Sequence, residues 1–216
     1  MKEMRRLAIA ATVLSACTLL RTAEAQSTQP ADLAGGKLLV ASRDLPDPNF
    51  AKTVVLLVQY DEEGVVGLIL NRRSKVPVSR VLNSLPGAKD RRDPVYAGGP
   101  VGSTDVLALV RSRQSPSDAK RVVGDVLLVS TKEALEKIFS SATDADAVHV
   151  YLGYSGWTES QLEHELDLGA WFIFPGSARA VFDSDPDSMW ERLIRETELR
   201  IAFKRRAEGG VLPRPD

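Results

Sequence analysis

Four short segments of this chain carry residue types that can do chemistry. The first is Arg43-Asp44-Leu45-Pro46-Asp47-Pro48-Asn49-Phe50. Arg43, Asp44 and Asp47 can hold a polar ligand, Asn49 can cap the loop, and Phe50 can anchor it. Turn chemistry with surface ion pairs explains the same residues. The second is Asn71-Arg72-Arg73 at the end of an apolar run. Asn71 can satisfy loop backbone groups and the arginines can attract an anion, or the segment simply ends a strand. The third is Gly98-Gly99-Pro100. Exposed amides there can receive a carboxylate or phosphate, and a tight chain crossing is the alternative. The fourth is Gly153-Tyr154-Ser155-Gly156-Trp157, before a capped helix. Ser155 and Trp157 can line a cleft at the positive helix end, or Trp157 can plug the core.

Two reactions are conceivable from these parts. Asp47 can activate water, or Ser155 can attack, with glycine-loop amides stabilising the developing charge. No recognisable constellation of nucleophile, base and oxyanion donors accompanies them. The sequence has no dinucleotide fingerprint, phosphate loop, H-E-x-x-H or G-x-S-x-G pattern. Of the two histidines, His149 alternates with Val148 and Val150 and so faces away from both, while His164 falls on the polar side of a helix. Asp183, Asp185 and Asp187 alternate as in a calcium loop, but Pro186 interrupts them and no glycine follows. A single cysteine leaves no intramolecular disulfide and no multi-cysteine metal site. No metal and no cofactor is expected. With 28 basic against 29 acidic residues over 216 positions, the chain has no global attraction for a polyanion, and so no strong nucleic-acid signal.

The elements that must position these segments follow from the apolar pattern. Strands are expected at Lys37–Ser42, Thr53–Tyr60, Val65–Leu70, Val95–Ala97, Val106–Val110, Ala147–Leu152 and Ala170–Phe174, and a strand pair or bent strand at Val122–Val129. Asp61 to Gly64 predicts a hairpin turn. Gly153–Trp157 is expected to be a tight turn and Ala180–Phe182 a short extended piece. Helices are expected over Val78–Leu85, over Lys132–Phe139 with Ser130 or Thr131 as cap, from Thr158 to Leu168 with a Thr158/Gln161 capping box, and after Pro186. Hairpins outnumber strand-helix-strand units. The pattern predicts an α+β domain with a mostly antiparallel, curved sheet and helices outside it.

The N-terminus has an export pattern. Lys2, Arg5 and Arg6 precede the apolar stretch Leu7–Leu20, and Ala23-Glu24-Ala25 offers a cleavage site. Leu14-Ser15-Ala16-Cys17 offers another, with Cys17 lipidated. The expected organisation is a signal over 1–25, a tether over 26–34, one domain over 35–203 and a flexible tail over 204–216. The protein is then periplasmic or lipid-anchored, touching a membrane only through Cys17. The alternative is a cytoplasmic chain.

Lys37–Phe50, Thr53–Arg72, Tyr96–Val101 and Val150–Glu165, in this order and spacing, resemble the YqgE/AlgH family, also called DUF179 or UPF0301. The resemblance spans Gly35 to Leu199. It implies a split, strongly bent sheet forming a pseudo-barrel with outer helices. It implies no established reaction, cofactor or substrate, although some members are labelled regulators of alginate production or transcription. The family pattern is carried here by Asp47, Pro48, Asn49, Phe50, Gly67, Asn71, Gly98, Gly99, Pro100, Gly153, Gly156, Trp157, Gln161 and Leu162. This chain departs from it at Arg43 and Arg73, where relatives often have proline. It also departs at Thr158-Glu159-Ser160, where they favour Gly-Pro-Gly, and near Val110-Arg111, where they often have histidine. The expected function is a non-catalytic domain binding a protein or a small polar ligand in a cleft near Asp47, Asn49, Asn71, Gly99 and Trp157. A hydrolase and a transcriptional regulator are the alternatives.

Overall fold

Val54 to Val58 are all at most 2% exposed, so this stretch must have neighbours on both edges and both faces. In the computed structural model, which describes residues 29–207 except 115, 142 and 143, it forms β2 (Val54–Asp61) between β1 (Lys37–Ala41) and β3 (Gly64–Ile69). The export pattern, Cys17 and residues 208–216 lie outside the described residues. The β2–β3 hairpin turns where the sequence predicts, with Asp61 facing Gly64 and the Asp61 carboxylate accepting from the Glu63 amide.

The remaining strands are β4 (Arg73–Pro77), β5 (Pro94–Ala97), β6 (Val101–Arg111), β7 (Lys120–Val123), β8 (Val126–Val129), β9 (Val148–Trp157) and β10 (Trp171–Pro175). They form one strongly curled sheet in the order β10-β1-β2-β3-β9-β6-β8-β7, with β4 and β5 attached beside β9. Every pairing is antiparallel except β5 with β9. The split expected of the sheet occurs within β9. Its first part pairs with β6 and β5, and Ser155–Trp157 pairs with β3.

The helices are α1 (Val78–Val81), α2 (Lys132–Ser140), α3 (Glu159–Asp167), α4 (Ala178–Val181) and α5 (Met189–Ala207). The curl gives two apolar clusters. One, containing Leu56, Tyr151, Trp171 and Leu162, draws on α3 and α5. The other, containing Val110, Val148, Val150, Leu135 and Phe139, draws on α1 and α2. Thr158 and Gln161 make the reciprocal capping box that starts α3, and Gly169, at φ +74°, follows its last turn.

Several expectations need correction. Gly153–Trp157 is the second half of β9, not a tight turn; Gly153 at φ +69° bends the strand without ending it. Arg73–Pro77 is a strand, paired with β5 at its two ends with a register shift between them, despite its polar sequence. Ala178–Val181 is one helical turn because Ser177 accepts from the Ala180 amide. Of the two residues expected to cap α2, Thr131 is the one that does so, its hydroxyl accepting from the Ala134 amide. The last helix runs to Ala207, four residues past the expected domain boundary.

The crossing of the β5–β6 connection over β9 leaves no room for a side chain. A Cβ on Gly99 would lie 2.2 Å from the Tyr154 carbonyl carbon, whereas a Cβ on Gly35 would meet nothing within 4 Å. Gly99→Ala should therefore cost more than about 2 kcal/mol, and Gly35→Ala should stay within about 0.5 kcal/mol. Urea midpoints of the two variants measure this directly.

Candidate functional site

The loop after β1 is shaped by its own polar groups. The Asp47 carboxylate accepts from the Asn49 amide at 2.7 Å, and the Asp47 carbonyl accepts from Phe50 and Ala51. Arg72 donates to the Asn49 carbonyl at 2.5 Å and to the Pro48 and Ala51 carbonyls at 3.3 and 3.4 Å. Burial lowers the Arg72 pKa, and the Asp47 charge opposes this. Asn71 bridges the loop's end to β2, donating to the Lys52 carbonyl and accepting from the Val54 amide, both at 2.9 Å. Asn49, Asn71 and Arg72 thus hold the loop from behind.

Phe50 enters the core, stacked on Trp157 at 5.3 Å and edge-on to Trp171 at 5.6 Å. One carboxylate oxygen of Glu165 accepts from both indoles, at 2.6 Å from Trp171 and 3.3 Å from Trp157. This ties α3, β9 and β10 together beneath the loop.

In front of the loop lies a cavity of about 530 Å³. Leu45, Phe50, Phe172 and Ile194 give it apolar walls, and Leu168 and Ile201 stand exposed at its edge. Arg43, Asp44, Asp47, Glu165 and Glu198 supply its charge, four carboxylates against one guanidinium. Arg43 makes a two-point ion pair with Glu198 and lies over the Trp190 ring at 5.4 Å. Their hydrogen bond raises the Arg43 pKa and lowers that of Glu198.

Three predicted site residues therefore meet: Arg43, Asp44 and Asp47. The others do not join them. Gly98 and Gly99 are pressed against β9, where Gly98 donates to the Leu152 carbonyl and accepts from Ile69, so these are crossing residues rather than an anion nest. Ser155 is 0% exposed and donates to the Gly98 carbonyl at 3.3 Å, which leaves it no access to a substrate. Trp157, 8% exposed, sits behind Phe50. Sequence reasoning missed Glu165, Glu198, Phe172 and Ile194. The unbroken apolar run of β10 and the helical spacing of Trp190, Leu193 and Ile194 in α5 were signals for the last two. Nothing local signals that Glu198 reaches Arg43 across 155 positions.

Histidine occupies a second pocket, of about 370 Å³, with Tyr96, Phe182, Arg73 and Arg111 among its lining. His149 faces away from Val148 and Val150, as the alternation predicts, and lies between Tyr96 and Phe182 at 4.8 and 5.0 Å. The calcium-like aspartates are each engaged by protein groups: Asp183 by Arg192, Asp185 by Ser188, Asp187 by Arg73. Among the described residues no cluster could hold a metal.

Burial lowers the His149 pKa from 6.5 to about 4, with the nearby Asp93 charge acting the other way. The unfolded chain takes up this proton at higher pH than the folded one, so stability is lost as pH falls from about 6.5 to about 4. The shift corresponds to about 3 kcal/mol. His149→Gln should flatten that part of the stability profile, as read from urea midpoints between about pH 7 and about pH 4.

The fold and these sites can be set beside known proteins. The AlgH-like DUF179 family model matches residues 38–202. A UPF0301 protein of Chlorobaculum tepidum is 35% identical over 162 residues, covering 74% of this chain and 84% of the relative. One from Streptomyces coelicolor is 34% identical over 174 residues, covering 78% and 89%. The solution structure of the AlgH protein from Pseudomonas aeruginosa superposes with a TM-score of 0.61 at 27% identity, covering 83% of this chain and 95% of that one. A crystal structure of a Corynebacterium diphtheriae protein gives 0.65 at 23% identity, over 76% and 87%, a likeness of fold. With a family model spanning the whole curled sheet and relatives matched over most of their length, this chain belongs to the AlgH-like DUF179 family, UPF0301.

Proposed function

We propose that the domain is a non-catalytic binding module that takes a segment of a partner protein in the cavity in front of the 43–50 loop. One observation carries this reading. Residues able to do chemistry are spent inside the fold, while Arg43, Asp44 and Asp47 converge on an apolar-walled cavity of about 530 Å³. That volume lies in the range of ligand sites. Its excess of carboxylates, beside the exposed Leu168 and Ile201, favours a segment presenting one large apolar side chain and a lysine or arginine. The hydrolase alternative draws no support from Ser155, which is sealed, or from Asp47, which is committed to its turn.

A peptide-display selection on the purified domain should enrich segments of that composition. Asp44→Asn combined with Leu168→Ser should weaken an enriched peptide by about tenfold or more, and Ser155→Ala should leave its affinity unchanged. Peptides indifferent to the Asp44 and Leu168 changes overturn the site, and turnover abolished by Ser155→Ala would overturn the non-catalytic reading.

The leader supports action outside the cytoplasm, through Lys2, Arg5 and Arg6 before Leu7–Leu20. Among the described residues no helix is long and apolar enough to cross a membrane. Intact-mass analysis of the fractionated native protein should find a chain starting at Gln26, or a lipidated Cys17 in the membrane fraction. A full-length cytoplasmic chain would remove export.

A further inference from the structure

Four carboxylates line the cavity in front of the 43–50 loop, and they are not equally free. Both oxygens of Glu198 are held by Arg43. One oxygen of Asp47 accepts from the Asn49 amide and closes the turn. Asp44 is exposed, and its side chain has no partner among the described residues. Glu165 differs from all three. It is half-buried, and its Oε2 accepts from the indoles of Trp171 and Trp157 at 2.6 and 3.3 Å. Its Oε1 has no hydrogen-bond partner among the described residues, yet that atom is not sealed in. The buried side-chain polar atoms without a partner are His149 Nδ1 and the Tyr151 hydroxyl, and Glu165 Oε1 is not among them. A single accessible oxygen of a half-buried carboxylate therefore belongs to the cavity wall.

An acceptor of this kind selects its donor. A guanidinium pairs best with a carboxylate through both oxygens at once, in a planar fork. Glu165 cannot offer that, because its Oε2 is already spent on two indoles. An ammonium is a compact charge with three donors, and one oxygen is enough for it. Its apolar stem can lie along Leu45, Phe50, Phe172 and Ile194, which wall the same cavity. A neutral donor would leave the excess of carboxylates uncompensated.

We propose that Glu165 is the specificity-determining residue of this cavity and reads a lysine of the partner segment, with the ammonium on Oε1 and the stem along the apolar wall. The inference rests on the cavity being a peptide site, and it narrows the basic residue of the ligand to lysine. It also has a consequence inside the fold. The carboxylate that receives the ammonium is the one that holds both indoles, so occupancy changes the hydrogen bonds of Trp157 and Trp171. The third tryptophan of the chain, Trp190, donates instead to the Ala41 carbonyl at 2.8 Å and does not share this carboxylate.

The test follows the three indole N–H resonances of the purified protein as capped tripeptides are added. The probes are Leu-Gly-Lys and Lys-Gly-Leu, each compared with its arginine and norleucine counterparts. A lysine peptide should move the Trp157 and Trp171 resonances more than that of Trp190. It should bind about tenfold more tightly than its norleucine counterpart, with the arginine peptide between them. Glu165→Gln keeps an oxygen for the indoles and removes the charge, so the lysine and norleucine peptides should then bind alike. Asp44→Asn should retain the preference for lysine. The proposal is overturned if arginine binds as tightly as lysine, or if saturation leaves the Trp157 and Trp171 resonances unmoved. These two outcomes are decided on the unaltered protein, whether or not Glu165→Gln folds. It is also overturned if the preference survives Glu165→Gln or disappears in Asp44→Asn. In each of these cases, peptides that still need Leu168 leave the cavity standing as a binding site. Binding of no peptide at about 10 mM overturns both readings.

Discussion

The structure depends on a single strand that changes partners without stopping. β9 pairs with β6 and β5 through its first half and with β3 through Ser155–Trp157. The change is made possible by Gly153 at φ +69°, a conformation that a Cβ would strain. The space at the bend is already taken. A Cβ on Gly153 would lie 2.7 Å from the Val101 carbonyl oxygen, and one on Gly98 would lie 2.2 Å from the Gly153 oxygen. Gly98 locks the bend from the other side, accepting from the Ile69 amide while donating to the Leu152 carbonyl. The curl of the sheet, and with it the separation of the two apolar clusters, follows from this arrangement.

A second knot depends on the first. Once β9 has turned toward β3, Trp157 faces the same core as Trp171 of β10, and Glu165 on α3 accepts from both indoles. Phe50 then packs on both rings, and Asn71 and Arg72 hold the backbone on either side of it, at Lys52 and Asn49, so the C-terminal end of the loop after β1 is fixed. The carboxylate does two things here. It satisfies two indole donors that would otherwise be buried unpaired, and it sets the angle of α3, whose last turn borders the larger cavity. Loss of the Glu165 carboxylate would disturb the loop without touching any of its residues.

The sequence revealed most where a local rule was sufficient. The Thr158–Gln161 spacing marked the start of α3, Asp61 to Gly64 marked a hairpin, and the uninterrupted apolar run of β2 marked a central strand. It misled where tertiary pairing overrode composition. Arg73–Pro77 is polar and ends in proline, yet β5 makes it a strand. Gly153 and Gly156 look like turn residues, yet the hydrogen bonds of β3 and β6 run through the segment. The candidate site was legible only in part for the same reason. Arg43, Asp44 and Asp47 are neighbours along the chain and stayed neighbours in space. Glu198 and Glu165 join them through the packing of α5 and α3, which a single sequence does not encode as a local pattern.

The residues that carry the family resemblance and those that line the cavities are largely different sets. Asn71, Gly98, Gly99, Gly153, Trp157 and Gln161 each hold backbone or core, and their hydrogen bonds and contacts are made within the fold. Arg43, by contrast, faces the cavity with its charge paired to Glu198. A proline there would remove the guanidinium, leave Glu198 unpaired and make the cavity more acidic. The residues that carry the family resemblance thus belong to the bent sheet and its locked crossing, while the charge of the cavity is set by a few side chains placed on that frame.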